Sequence, residues 1–133
     1  MNKNFANWKI TQLLPEGNPY VDFDYRAVWA STKEIVPSKY YCNLSGNYDY
    51  DNGIRDVWTW EDIRLYLLEK GYELEIIFEI DIEGNQRLYY YNIHFFNSLD
   101  EEIDQTMYHS YEEAREAGYI YLLETYIIKD LLK

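Results

Sequence analysis

An α+β fold is what this sequence predicts, and three observations predict it. Residues 72–82 alternate apolar and acidic side chains, residues 87–96 form an aromatic-rich return segment, and helical periodicity with capping residues brackets the pair. The expected architecture is a small antiparallel sheet whose central hairpin (72–82 and 87–96) is packed by two helices, at 60–70 and 111–131. At 133 residues the chain has the length of a single domain. Residues 1–57 form a less regular part and 58–133 a regular helix–hairpin–helix part.

The first helix of the regular part is read from its ends. Thr59 with Asp62 makes a capping arrangement, and Glu61 and Asp62 suit the positive end of the helix dipole. Trp60, Ile63, Leu67 and Leu68 recur at helical spacing, and Gly71 after Lys70 is a common stop. In the strand that follows, Leu74, Ile76, Phe78, Ile80 and Ile82 take one face. Glu73, Glu75, Glu79 and Asp81 take the other, joined by Ile77. Glu83-Gly84-Asn85 supplies a turn, and the return strand should direct Tyr89, Tyr91, Ile93 and Phe95 to the core, with Tyr90, Asn92 and His94 outward. A third strand is expected around 106–109, after the polar stretch 98–105.

Ser110 and Glu113 form a capping box for the last helix. One apolar stripe there runs through Ala114, Ala117, Tyr121 and Ile128, and its neighbour through Ile120, Leu123, Ile127 and Leu131. Gly118 is unfavourable inside a helix by about 1 kcal/mol relative to Ala, which suggests a close crossing over the sheet. In the first part, 4–14 reads as a short helix stopped by Pro15 and 20–29 as a strand. Residues 31–56 are irregular by composition, although a connection this long is expected to contain short elements.

Composition limits the function classes. Twelve Lys+Arg against 24 Asp+Glu give a formal net charge of −12, which disfavours direct nucleic-acid binding because phosphates are repelled. No stretch approaches the eighteen or so apolar residues of a membrane helix, and residues 1–8 hold no apolar run of the signal-peptide kind. A cytoplasmic protein with no membrane association is expected. The single Cys42 excludes an internal disulfide.

Trp58-Thr59-Trp60-Glu61-Asp62 leading to Leu67-Leu68-Glu69-Lys70-Gly71, a strand pair, then Ser110-Tyr111-Glu112-Glu113-Ala114-Arg115 and a closing helix resembles a family of small proteins encoded by gut bacteria of the Bacteroides type and their phages. The likeness covers residues 58–132. It is a family of unknown function and carries no catalytic residues across. What it implies is context, an accessory protein of a phage or mobile element.

No constellation of residues points firmly to chemistry. The Asp-rich run Asn47–Gly53 fails as a calcium loop: from Asn47 the sixth position is Asn52 and the twelfth is Trp58, where Gly and Glu are needed. No metal and no cofactor are expected. Cys42 with His94 or His109 and nearby carboxylates is the alternative enzyme reading, without a local signature. Adjacent acids such as Glu101-Glu102 are expected to be incidental in so acidic a chain. The favoured reading is a non-enzymatic protein that binds a basic partner through Glu73, Glu75, Glu79 and Asp81, possible inhibition of a host factor by charge mimicry included. The competing view of those acids is a solvated face that limits aggregation. Sixteen Tyr, five Phe and four Trp exceed what a small core can bury, so Tyr40, Tyr41, Tyr48 and Tyr50 are further interface candidates, weighed against simple loop packing. Self-association as a homodimer, through the broad apolar arc of the last helix, is a third possibility.

Overall fold

The computed structural model describes residues 5–15, 17–20, 27–29, 35–37, 55–96, 101–104 and 106–128. The chain divides into two units, Met1–Ile63 and Arg64–Lys133.

In the first unit Asn7 opens α1 (Trp8–Thr11), its side-chain oxygen accepting from the Ile10 N–H at 3.0 Å. This helix is shorter than the 4–14 expected. Ahead of the cap the backbone is extended: Phe5 bridges Thr59, and the Ala6 N–H donates to the Trp58 carbonyl at 2.8 Å. The backbone of β1 (Ala27–Trp29) pairs antiparallel with β2 (Ile35–Pro37) and β3 (Arg55–Asp56), in the order β2–β1–β3. Proline has no N–H for a ladder, and Pro37 lies on an edge strand, where a sheet tolerates it. Of the strand expected at 20–29, residues 27–29 are strand, Tyr20 is in a turn, and 21–26 lie outside the described residues. Tyr40, Tyr41, Cys42, Tyr48 and Tyr50 lie outside them too, as does the Asn47–Gly53 run. Asn18 is buried and ties this unit together: its N–H donates to Asp56, and its amide reaches the Val57 carbonyl at 3.1 Å and Asp62 at 2.9 Å.

Helix α2 (Trp60–Lys70) has the bounds its periodicity predicts. Its cap is reciprocal: Asp62 N–H donates to Thr59 Oγ1 at 3.0 Å, and Thr59 N–H donates to Asp62 Oδ2 at 3.1 Å. It stops at Gly71, whose φ of 97° suits a residue without a Cβ.

The second unit holds β4 (Tyr72–Asp81), β5 (Gln86–Phe95) and β6 (Glu101–Ile103) in the order β4–β5–β6, all antiparallel. The hairpin turn places Asn85 at φ 52° and anchors the Gly84 N–H on Asp81 Oδ1 at 3.1 Å. The third strand is a correction. It runs through 101–103, and Tyr108 of the expected 106–109 strand forms only an isolated bridge to Tyr89. Two successive glutamates argue against a strand by propensity, yet a short charged segment suits a sheet edge.

Helix α3 (Tyr111–Leu122) starts with Ser110 Oγ accepting from the Glu113 N–H at 3.1 Å, and continues as a wider π turn over Leu123–Ile128. Residues 129–131 of the expected helix lie outside the described residues. The buried positions are Ala114, Gly118, Tyr119, Leu122, Leu123 and Ile127. Ala117, Tyr121, Ile120 and Ile128, expected on the apolar stripes, are only half-buried. Gly118 is the reason: its bare backbone comes down on Leu74 and Tyr91, which rotates the contact line toward 118 and 122.

Candidate functional site

The hairpin carries two chemically different faces, and the structure treats each unevenly along its length. On the inner face α3 covers the Leu74 end, where Tyr91 and Ile93 are buried. Further along, the cover ends. Phe78 is 53% exposed, Ile80 63% and Ile82 87%. Phe78 keeps partial company from Tyr89, with ring centres 6.3 Å apart, and from the Arg87 guanidinium 5.4 Å above its ring. The expectation that the whole alternating row would be interior holds only for its first half.

On the outer face the four sequence-selected carboxylates do not behave as one row. Glu75 and Glu79 are exposed, Glu73 and Asp81 half-buried, and Asp81 is engaged in the turn. Glu75 Oε1 meets His94 Nε2 at 3.0 Å, and the other ring nitrogen stands 3.3 Å from Glu101 Oε1. Asn92, expected outside, is buried; its Nδ2 donates to Glu101 Oε2 at 3.2 Å, and its Oδ1 has no partner among the described residues. Glu73, Leu74, Glu75, His94 and Phe96 line a cleft of about 470 Å³. His109 is exposed, and Cys42 lies outside the described residues, so no nucleophile–base pair is assembled among them.

A second cluster sits on the inner face, and sequence reasoning missed it. Glu102 accepts hydrogen bonds from both Tyr121 and Tyr126, and Asp104 accepts from the Tyr108 hydroxyl at 3.0 Å. The Glu101-Glu102 pair, expected to be incidental, is split by the pleat: Glu101 serves His94 outside, Glu102 serves two tyrosines inside. The Glu102 hydrogen bonds, then burial, push the Tyr121 and Tyr126 hydroxyls above the ordinary tyrosine range. Burial first, then Asp104, does the same for Tyr91 and Tyr108. For Asp104 itself burial opposes the charge, but hydrogen bonds led by the Thr106 N–H outweigh it and hold the carboxyl low. Tyr91, Glu102, Ile103, Asp104 and Tyr121 line an open recess of about 150 Å³. With every carboxylate taken by a hydroxyl or an N–H, this cluster works as a clamp on the π turn.

Among the described residues no group of three or more His, Cys, Asp or Glu is placed to hold a metal ion, and no helix is long and apolar enough to cross a membrane. No family model, curated protein or solved structure matches the chain.

Proposed function

We propose that the chain is a non-enzymatic binding protein whose partner presents a basic surface to the outer face of the β4–β5 hairpin. The observation that carries this reading is the charge of that face. Segment 73–83 contains Glu73, Glu75, Glu79, Asp81 and Glu83 and no Lys or Arg, and Arg87 projects from the opposite face of the hairpin. Such a surface attracts a basic partner over long range and aligns it, more than it supplies raw affinity. In this reading it is a cytoplasmic accessory protein of a phage or mobile element, a context supported by the likeness of 58–132 to small proteins of Bacteroides-type bacteria and phages, and mimicry of nucleic-acid charge would occupy a host factor. The exposed tip residues Phe78, Ile80 and Ile82 add an apolar component to the same hairpin.

The test is capture from a host lysate with the chain and with a Glu73→Lys/Glu79→Lys variant, at low salt and at about 1 M salt, where the Debye length is about 3 Å. Glu75 is left in place because it holds His94. A partner retained at low salt, released at high salt and lost by the variant is the expected result. Equal retention by the variant would remove the charge-based reading.

The Glu75–His94–Glu101 contacts beside a cleft favour a second reading, an enzyme using His94 with carboxylates. It predicts that His94→Ala abolishes activity while leaving partner capture intact. The binding reading predicts that His94→Ala leaves every phenotype in place.

A further inference from the structure

The free edge of β4 carries an inference that rests on the binding reading above and names the form of the partner. Among the described residues β4 is paired with β5, and no strand lies beside the other edge of its segment 74–80. The register decides which backbone groups face out. Phe96 N–H donates to the Gly71 carbonyl, while Tyr89 and Tyr108 exchange two bonds on the far side of β5. In an antiparallel ladder these groups alternate. The even residues of β5 therefore bond β4 through its odd residues, and Leu74, Ile76, Phe78 and Ile80 aim N–H and C=O outward. Within this ten-residue strand, four successive even residues from Leu74 to Ile80 present backbone outward, which is long by the standards of protected edges.

Its two faces specify what would fit beside it. A strand added there would set alternate side chains against Ile76, Phe78 and Ile80 on one face, and against Glu75, Glu79 and Asp81 on the other. A second copy is the poor occupant. Two β4 strands paired antiparallel about Ile77 place Glu75 opposite Glu79 and Glu73 opposite Asp81, and like charges directly opposite destabilise a sheet. We propose that the β4 edge accepts an extended segment of a partner protein, alternating apolar residues with Lys or Arg, as a fourth strand of the sheet. Main-chain hydrogen bonds would hold the segment and the two-residue alternation would select it. The carboxylates both attract this segment and repel a second β4.

The test uses the full chain and three ten-residue peptides: lysine alternating with valine, the same residues with all lysines before all valines, and glutamate alternating with valine. Amide exchange is followed by NMR. Without peptide, the amides of Ile76, Phe78 and Ile80 should exchange faster than those of Glu75, Ile77 and Glu79. The alternating lysine peptide should slow the even set by at least about tenfold and bind at least about tenfold more tightly than the other two. Ile80→Pro removes an outward N–H without touching the ladder to β5, and should weaken this peptide at least about tenfold, against about threefold or less for Ile80→Ala. If Ile80→Pro fails to fold, the exchange pattern of the unaltered chain decides. Equal binding of both lysine peptides without protection of even amides overturns the strand proposal and leaves the charge-based reading standing. Protection of the even amides on raising the concentration of the chain alone would overturn it in favour of a second copy. Failure of both lysine peptides overturns it too, and retention of a partner by the Glu73→Lys/Glu79→Lys variant then decides the broader reading separately.

Discussion

A Cβ built on Gly118 would stand 2.7 and 2.9 Å from the two Leu74 methyls and 3.1 Å from Tyr91 Cγ. The glycine thus exchanges helix propensity for proximity. Gly118→Ala adds about 1 kcal/mol of propensity, while overpacking at this contact costs about 1–3 kcal/mol, so a net loss of stability is expected. In a Leu74→Ala background the overlap with the methyls is gone, and the same Gly118→Ala change should become stabilising. Denaturant midpoints of the four chains measure this, and the same sign in both backgrounds would show that Leu74 is not what Gly118 accommodates. Glu101 and Glu102 make a related point at the same scale. Nothing in their sequence neighbourhood distinguishes them, yet one faces an imidazole and the other two phenols, because adjacent residues in a strand leave by opposite faces.

At the scale of elements, the join between α3 and the π turn is where the tyrosines become structural. Tyr121 and Tyr126 reach Glu102 of β6 from either side of that join, and the rings of Tyr72, Phe95 and Tyr126 pack edge to face or tilted at 5.3–5.7 Å. The hydrogen bonds donated to Glu102, then burial, then the nearby negative charge all favour the neutral phenols, so the folded values lie above the 10.0 of a free tyrosine. A raised folded pKa contributes stability that is fully present below the unfolded value and disappears as pH climbs through the folded one. Stability should therefore fall as pH rises above about 10. It should fall less steeply for Tyr121→Phe/Tyr126→Phe, when unfolding midpoints are compared on the alkaline side. An unchanged slope would mean that the two phenols titrate alike folded and unfolded. The position of β6 was not legible in advance because its residues favour the solvent. Only the sheet edge beside Asn92, Ile93 and His94 made a strand of them.

For the whole molecule the governing quantity is a net charge of −12. Self-repulsion of that size weakens any compact state. Added salt shortens its range, from about 30 Å at 0.01 M to about 8 Å at 0.15 M. The thermal midpoint should rise over that interval; a fall would show that attractive pairs outweigh the repulsion. The same screening should loosen the basic partner proposed above, so folding and that binding are expected to respond to salt in opposite directions.

Local order came from the residues alone. The bounds of α2, the Ser110 cap, the hairpin and the two-residue alternation of β4 follow from periodicity and capping, which depend on neighbours a few positions apart. The fold class follows from those elements together. What no local pattern contained was where one element stops covering another. Leu74 and Ile80 obey the same alternation, but Gly118 brings α3 over the first while the second is left 63% exposed. The burial of Asn92 and the division of labour between Glu101 and Glu102 are contacts of the same kind, made between residues distant in the chain. Packing is a property of pairs of surfaces, and only the folded chain shows which surfaces meet.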